Sequence, residues 1–413
     1  MKRYWKLAVL IPFIVFTIGI YYAEASVGGH PEYYIKTQKG NGQVASGIKL
    51  KGNYKYDAVT ISTKGSTYQS DQSFWKSLDS YYYSTQRLKE MAKQYPQFMR
   101  GKQNPNAFYV DSRVIGYANI NSQGQSDFRI NVSIYDKKQK DSLSFEVKMP
   151  KQNPHEFVNA YNVQVGGQFM KLLTLNYNTN QATGQGPVVH LYTLDLNKKK
   201  VVADHSILSY ASSGESKQGV ISGINETDAL KKPSNYIVFQ MVHDNNGWMT
   251  NGLTTESSRP YAAKANTVNS RELFVYDIKS GKLSRVESKL VNELLQSIAP
   301  PAISQNGDDL FLISTADPKG PRVIRYSLSE KKISSDLIIP LKDLQANAEI
   351  VSVSKIANNR LYMIVTSKKN RFADPMIDIA ELNTGKIVYR GIVSRKDNKE
   401  LGNLQIYSIS LGA

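Results

Sequence analysis

The sequence predicts an all-β fold, a β-propeller of six four-stranded blades, or of seven if the segment 43–50 is a further strand. Three observations predict it. Short apolar runs rich in β-branched and aromatic residues alternate with Gly, Asn, Asp and Ser along most of the chain, which is typical of strands and turns. The same strand and turn patterns recur every few tens of residues, as in repeat folds. Finally, the two ends of the chain carry complementary parts of one repeat.

The repeat consists of two patterns. The first is an apolar strand that follows an Asn or Asp turn, and it occurs at Asn235–Val242, Asp308–Thr315 and Asn359–Ser367. The second is a strand that ends in a polar turn and a basic hairpin, and it occurs at 130–138, 189–199, 273–283, 323–333 and 377–387. Together they supply the four strands of one blade. A pair of β-sandwiches is the rival architecture, but sandwiches need no such repeat.

The chain ends predict how the ring closes. The run Leu404–Leu411 is expected to be the second strand of a blade, yet the chain ends directly after it. Its missing outer hairpin is present at Asp57–Tyr68, so we expect the two ends to pair and to remove the open edges of the sheets. The propeller is therefore predicted to occupy 54–413, after a polar linker at 26–53.

One helical insertion interrupts the strands at about 71–100. Apolar and aromatic residues lie there at helical spacing, and Ser70 or Asp71 is suited to cap its start. The helix is expected to cover a rim or a channel of the propeller, or to bind a partner. A shorter helical pattern runs through Leu290, Leu294 and Leu295.

Residues 1–25 are typical of an export segment. Lys2, Arg3 and Lys6 precede the uncharged run from Leu7 to Tyr22, and such a basic flank stays in the cytoplasm while the following chain is exported. The small residues on either side of Glu24 fit cleavage after Ala25, whereas a run of this length is close to the shortest membrane span, about 17 residues. The chain is predicted to be either a signal-peptide protein or a single-pass anchored protein with its body outside.

The amino-acid composition excludes several kinds of site and favours one kind of partner. The 413 residues include no cysteine, which excludes disulfides, thiolate metal sites and thiol nucleophiles. An exported chain without cysteine is typical of a bacterial envelope. Lys+Arg number 52 against 35 Asp+Glu, and this excess favours an anionic partner. Nucleic acid is the least suitable anion, because export removes access to it and no stacking platform accompanies the basic residues.

These features resemble the bacterial exported β-propeller repeat proteins of the YVTN and quinoprotein-like superfamily. The resemblance covers 54–413 and rests on the apolar strands and on the Tyr-Asp-x-x-x-Gly-Lys hairpin, as in Tyr276–Lys282. It implies a propeller outside the plasma membrane and carries over no catalytic or cofactor-binding residue.

Two candidate binding surfaces follow from the propeller. The basic hairpins are expected on one face, where they form a ring that faces an anionic envelope polymer or lipid headgroups, or that simply protects edge strands. Its lysines are Lys137, Lys138, Lys198, Lys199, Lys200, Lys282, Lys331, Lys332 and Lys386. Long loops are expected on the opposite face, and the loop after His243 offers a polar and aromatic ligand or partner site. Its candidate residues are Asp244, Trp248, Met249, Arg259 and Tyr261.

No catalytic motif, metal site or cofactor site is predicted. The five histidines show no metal-binding spacing, and the chain has no nucleophile elbow, phosphate loop or dinucleotide fingerprint. We therefore expect a non-catalytic binding scaffold of a bacterial envelope that recognises a protein or an anionic polymer. Two alternatives stay open: a hydrolase or quinoprotein-like enzyme with carboxylates in a central channel, and a sensory accessory of a membrane transporter or signalling system.

Overall fold

The computed structural model describes most of the chain from residue 30 onward. The described residues are 12–14, 16–17, 30–72, 85–122, 127–150, 156–178, 186–210, 218–224, 234–244, 270–297, 299–317, 319–341, 349–367 and 374–411. Most of the predicted export segment 1–25 lies outside them. None of the helices within this part of the chain is both long and apolar enough to span a bilayer.

Six antiparallel sheets follow one another along the chain. Sheet 1 contains, in spatial order, β25 (Leu404–Leu411), β2 (Ile48–Tyr54), β3 (Asp57–Ser62) and β4 (Gly65–Tyr68). Sheet 2 contains β5 (Phe108–Val110), β6 (Val114–Ser122), β7 (Phe128–Asp136) and β8 (Asp141–Lys148). Sheet 3 contains β9 (Glu156–Gly166), β10 (Phe169–Asn178), β11 (Val188–Asp195) and β12 (Lys200–Ser209). Sheet 4 contains β13 (Gln218–Ile224), β14 (Tyr236–Asp244), β15 (Arg271–Asp277) and β16 (Lys282–Arg285).

The last two sheets complete the series. Sheet 5 contains β17 (Ala302–Asn306), β18 (Asp309–Ser314), β19 (Arg322–Ser327) and β20 (Lys332–Ile338). Sheet 6 contains β21 (Glu349–Ala357), β22 (Arg360–Ser367), β23 (Met376–Glu381), β24 (Ile387–Arg395) and β1 (Tyr33–Gly40). The all-β prediction and the number of six repeats are confirmed. The segment 43–50 starts no seventh sheet in the described chain, because it forms a 3-10 turn and the beginning of β2.

Apolar clusters join neighbouring sheets, and the central strands explain how. In β18, Leu310 and Leu312 pack against sheet 4, whereas Phe311 and Ile313 point the other way and pack against sheet 6. Successive side chains of a strand point to opposite faces, so a continuous apolar run fits a strand covered on both sides. Equivalent clusters connect sheets 2 and 3, 3 and 4, and 6 and 1. Sheets 3 to 6 thus each pack on two neighbours, unlike the sheets of paired sandwiches.

The two ends of the chain share one sheet, as predicted, although β25 pairs directly with β2 rather than with the hairpin Asp57–Tyr68. Leu50 of β2 lies opposite Ile409 of β25, and Gly52 lies between Ile406 on one side and Val59 on the other. The strand order differs from the prediction, since Leu404–Leu411 is an edge strand and β2 is the second. The prediction of a linker at 26–53 was wrong for β1 and β2: Ile48-Lys49-Leu50 alternates buried and exposed residues, which is the pattern of a half-buried strand.

The hairpins between third and fourth strands share one turn in sheets 2 to 6. In sheet 4, Asp277 Oδ1 accepts hydrogen bonds from the backbone N–H of Lys279 (2.9 Å) and Ser280 (3.2 Å). The fifth turn residue has a left-handed backbone in every case: Lys140, Lys199, Gly281, Lys331 and Gly385, with φ between 52° and 69°. The first position is Asp or Ser in sheets 2 to 5 and Glu381 in sheet 6. Asp and Ser favour such turns because their side chains bond to the backbone two and three residues on.

The described residues 12–14 and 16–17 are helical, and three α-helices accompany the sheets after residue 30 in the described chain. They are α1 (Gln86–Gln94), α2 (Pro96–Met99) and α3 (Lys289–Leu295). The predicted insertion at 71–100 is helical in its second part, where the Thr85 hydroxyl caps α1 and Pro96 separates α1 from α2. Asp71 lies in a turn, and the residues it was predicted to cap, 73–84, are outside the described residues. The short helix predicted around Leu290 is confirmed as α3.

Each sheet has two distinguishable ends. We call the end with the turns between third and fourth strands the hairpin end, and the end with the connections between second and third strands the opposite end. Hairpin ends of neighbouring sheets meet: the Lys171 ammonium in sheet 3 donates to the carbonyl of Ile278 in sheet 4 (3.2 Å). Gln305 Nε2 in sheet 5 similarly donates to the carbonyl of Tyr236 (2.8 Å). The turns of sheets 3 to 5 therefore lie on the same side.

Candidate functional site

The predicted lysines lie in the turns of the hairpin end. Eight of the nine are exposed: Lys138, Lys198, Lys199, Lys200, Lys282, Lys331, Lys332 and Lys386. Two of these also have acidic neighbours, because Lys198 lies 3.9 Å from Asp195 and Lys332 lies 3.1 Å from Glu330. Exposed ion pairs of this kind are weak and leave the ammonium groups accessible to a partner.

Lys137 does not belong with them. It is half-buried, and its ammonium donates a hydrogen bond of 2.5 Å to the carbonyl oxygen of Asp111. Burial lowers the pKa of Lys137 because the charged form loses solvation. Its side chain thus ties the turn of sheet 2 to the preceding hairpin, so we remove it from the predicted ring of cations.

The predicted loop site lies mostly outside the described residues, which end at Asp244 and resume at Ser270. Trp248, Met249, Arg259 and Tyr261 are therefore outside the described part. A backbone hydrogen bond closes the base of the loop, because the His243 N–H donates to the Ser270 carbonyl (2.9 Å). Beside it, Glu272 lies 3.3 Å from His243 Nε2 and 2.8 Å from Arg285 Nη2. The loop therefore starts and ends on adjacent paired strands.

A cleft of about 630 Å³ lies at the opposite end, between sheets 1 and 6. Its lining residues are His30, Pro31, Tyr54, Lys55, Tyr56, Asp57, Ser70 and Arg395. They come from the chain before β1, the turn between β2 and β3, the residues after β4 and the end of β24. The pairing of the chain ends brings these distant segments together, and sequence reasoning did not identify them. The one local signal was the turn Tyr54–Asp57, which places two tyrosines between paired strands.

Four aromatic rings pack together at one side of the cleft, where His30 and Tyr54 line it and Tyr33 and Tyr68 lie buried behind them. The His30 ring stacks on Tyr68 at 4.2 Å between centroids, and Tyr54 lies 6.4 Å from Tyr68 and 6.0 Å from Tyr33. The buried hydroxyl of Tyr33 donates to the Leu401 carbonyl (2.7 Å), and that of Tyr68 donates to Pro31 (2.6 Å). Burial, reinforced by nearby Tyr54, raises the pKa of Tyr33 to about 12. Burial also raises the pKa of Tyr68, so both phenols are neutral donors.

The charged groups of the cleft are compensated and held in place. Arg395 donates to both carboxylate oxygens of Asp397, at 2.9 and 2.5 Å, and to the Glu400 carbonyl at 3.1 Å. The hydrogen bond from Arg395 holds the pKa of Asp397 below its usual value. His30 lies within 3.6 Å of Asp57 and 3.4 Å of Asp71. The cleft therefore combines aromatic faces with fixed polar groups and concentrates no single charge.

The strands that would line a central channel are poor in carboxylates. We call β25, β5, β9, β13, β17 and β21 the inner strands of sheets 1 to 6. In sheets 4, 5, 6 and 1 the inner strand of each sheet contacts the inner strand of the next: β13 contacts β17, β17 contacts β21, and β21 contacts β25. Their described residues include acidic side chains only at Glu156 and Glu349, the first residues of β9 and β21. In the described part of the chain, no three metal-ligating side chains converge.

Comparison with known proteins identifies no family. No family model matches the chain, and no curated protein matches its sequence. Among solved structures, an uncharacterized protein of Listeria monocytogenes shares 9% identity over 71% of this chain and 67% of its own, with a TM-score of 0.32. A prolyl endopeptidase shares 12% identity over 87% of this chain and 41% of its own, with a TM-score of 0.36.

A third likeness is to the apocarotenoid oxygenase of Synechocystis, in a Glu150Asp mutant. It shares 9% identity over 72% of this chain and 61% of its own, with a TM-score of 0.35. The chain thus spans less than two thirds of the length of the endopeptidase and of the oxygenase. At these scores and identities, none of the three likenesses carries an argument about what this chain does.

Proposed function

We propose that the six sheets close into a β-propeller of the exported YVTN and quinoprotein-like kind, and that this propeller is a non-catalytic binding scaffold outside a bacterial plasma membrane. Its hairpin end binds an anionic polymer of the envelope. One observation carries the proposal: sheets 2 to 6 present exposed lysines on turns of the same construction. A repeated turn spaces cations regularly, and a polymer with repeated negative charges matches such spacing.

The binding strength of such a surface depends on how many lysines contact the polymer at the same time. A single lysine near an anionic surface contributes on the order of 1 kcal/mol, and salt reduces that contribution. Five turns acting together produce strong, salt-sensitive binding without a deep pocket. The scarcity of carboxylates on the inner strands favours this function over an enzyme with catalytic acids in the channel. Nothing in the turns requires a cofactor.

The test measures binding of the purified protein to polyphosphate, used as a soluble polyanion, at several salt concentrations. One variant replaces one lysine in each turn: Lys138→Gln, Lys198→Gln, Lys282→Gln, Lys331→Gln and Lys386→Gln. Its matched control removes five exposed cations elsewhere: Lys36→Gln, Lys93→Gln, Lys289→Gln, Lys319→Gln and Lys399→Gln. Each set of five lowers the net charge by the same amount.

We expect the turn variant to bind polyphosphate at least tenfold more weakly, since each lost cation removes on the order of 1 kcal/mol. The control is expected to stay within about twofold of the parent protein. Equal losses in both variants would show that net charge alone drives binding and would contradict the proposal. Anionic vesicles, tested in parallel with the same variants, distinguish a polymer from lipid headgroups.

A further inference from the structure

We propose that the cleft between sheets 1 and 6 binds a neutral saccharide. This site goes beyond the proposed function, since it lies at the other end of the sheets and recognises a different chemistry. Its volume of about 630 Å³ lies within the usual range of ligand sites, roughly 300 to 1,000 Å³. It is far larger than a single ion needs and suits a ligand of one or more sugar rings.

The position of Tyr56 is the first argument. Its side chain is completely exposed, at 104% of the reference area, although it lines the cleft. The preceding Lys55 has φ 55°, a left-handed conformation that is unfavourable for residues other than glycine. This left-handed backbone shapes a tight turn, as it does at Lys140, Lys199 and Lys331 in the hairpins of sheets 2, 3 and 5. Here it presents a bare aromatic ring, whose face is suited to the C–H surface of a pyranose.

The fixed polar groups are the second argument. Asp57 accepts hydrogen bonds from the backbone N–H (3.3 Å) and the hydroxyl of Ser70. Arg395 uses three of its five N–H donors on Asp397 and Glu400. Planar groups that are held before binding lose little freedom when a ligand arrives. A carboxylate and a guanidinium beside an aromatic face match the hydroxyl groups around the rim of a sugar.

Charge excludes a strongly anionic ligand. Arg395 is compensated by Asp397, the Lys55 ammonium lies over the Tyr54 ring at 5.6 Å, and Asp57 adds a negative charge. A polyanion therefore finds a better site at the hairpin end. A peptide strand is also less suitable, because peptides are recognised along strand edges or in apolar grooves. The lining of this cleft consists instead of side chains from turns and strand ends.

The test uses the full chain and an array of neutral oligosaccharides of glucose, galactose, mannose and N-acetylglucosamine, followed by titration of the best ligand. The variant Tyr56→Ala removes the exposed ring without disturbing packed atoms. Phe157→Ala is the matched control, because it removes another exposed aromatic ring, 49% exposed, from sheet 3. The unfolding midpoint of each variant is measured alongside.

We expect at least one oligosaccharide to bind, with Tyr56→Ala at least tenfold weaker and Phe157→Ala within twofold of the parent. The unfolding midpoint is expected to stay unchanged in Tyr56→Ala and to fall slightly in Phe157→Ala, whose ring is half buried. Failure of every oligosaccharide to bind would overturn the proposal, and so would binding that is indifferent to Tyr56→Ala. The five-lysine turn variant is expected to keep its saccharide binding, so the two sites fail or succeed independently.

Discussion

The hairpin end and the cleft differ in how the chain builds them. The hairpin end is made five times over from a turn of five neighbouring residues, such as Asp277–Gly281. The cleft is made once, from positions as far apart as His30 and Arg395. Each turn is held by hydrogen bonds among its own residues, whereas the cleft depends on the pairing of the chain ends. We therefore expect variants that weaken sheets 6 and 1 to impair the cleft first.

The largest expected effect comes from the buried ion pair of sheet 6. Arg390 on β24 donates to both carboxylate oxygens of Asp378, at 2.8 and 2.9 Å, and the Asp378 side chain is 0% exposed. Arg390→Met leaves that carboxylate buried without its partner, which we expect to lower the free energy of unfolding by about 3 to 5 kcal/mol. Urea denaturation measures the loss.

The same variant is expected to affect the cleft more than the hairpin end. Because β1 pairs with β24, amide exchange in Tyr33–Gly40 is expected to accelerate more than at the turn of Gly281. The double variant Asp378→Leu/Arg390→Met removes both charges and is expected to recover most of the stability. A loss below about 1 kcal/mol in the single variant would contradict a structural role for the pair.

A smaller effect is expected from the hydroxyl of Tyr33, which links sheet 6 to the chain before β25. Tyr33→Phe leaves the buried carbonyl of Leu401 without its donor, which costs about 1 to 2 kcal/mol. Exposed Tyr56 supplies the control, since Tyr56→Phe is expected to leave the free energy of unfolding unchanged. Urea denaturation at pH 8 compares the three proteins.

The pH dependence of stability provides a second measurement on the same residue. Burial raises the pKa of Tyr33 from 10.0 to about 12, so the folded protein holds this proton more tightly than the unfolded chain does. Its contribution to stability is fully present below pH 10 and is lost as the pH rises from 10 to 12. Tyr33→Phe is expected to lose less stability over that interval than the parent protein. An equal alkaline loss in both would show that Tyr33 does not titrate with folding.

The smallest effect is expected at the fifth position of the repeated turn, which is lysine in sheets 2, 3 and 5 and glycine in sheets 4 and 6. Gly281 has φ 69°, and a Cβ there would lie in ordinary contact with the Tyr276 hydroxyl at 3.9 Å, while Lys331 has φ 53°. Gly281→Lys is expected to cost about 1 kcal/mol, because a side chain disfavours the left-handed backbone. Lys331→Gly is expected to gain less than that, since glycine has more freedom to lose on folding. Thermal unfolding measures both.

These two substitutions also test whether ligand binding at the hairpin end and at the cleft is independent. Gly281→Lys adds a cation to the hairpin end and is expected to strengthen polyphosphate binding slightly, while Lys331→Gly weakens it. Neither is expected to change saccharide binding at the cleft. A change at the cleft of more than twofold would show that the two ends are coupled.

The strands and turns of sheets 2 to 6 were predictable because their signals are local. The Asp or Ser that starts the turn in sheets 2 to 5 bonds to its own neighbours. The apolar runs of β18 and β22 are recognisable as buried strands from their own residues. The lysines of the turns were found by the same local pattern. Lys137 was misassigned because its hydrogen bond to Asp111 joins two hairpins, which no single turn reveals.

The segment 26–53 shows where local signals are insufficient. Its strands β1 and β2 are polar on one face, and their partner residues in β24 and β25 lie 349 to 363 positions further along the chain. A weakly apolar segment becomes a strand only when another strand supplies its hydrogen bonds. The assignment of 26–53 to a linker was wrong because the residues near this segment do not show that β24 and β25 pair with it.

The sequence by itself determined the all-β class, the six repeats and the basic turns, since each is encoded within a few neighbouring residues. Only the tertiary structure decided which strands join the two chain ends and which side chains meet there. The cleft exists because β2 pairs with β25 and β1 pairs with β24. Such contacts form between residues that share no local pattern, and burial and hydrogen bonding in the folded chain alone bring them together.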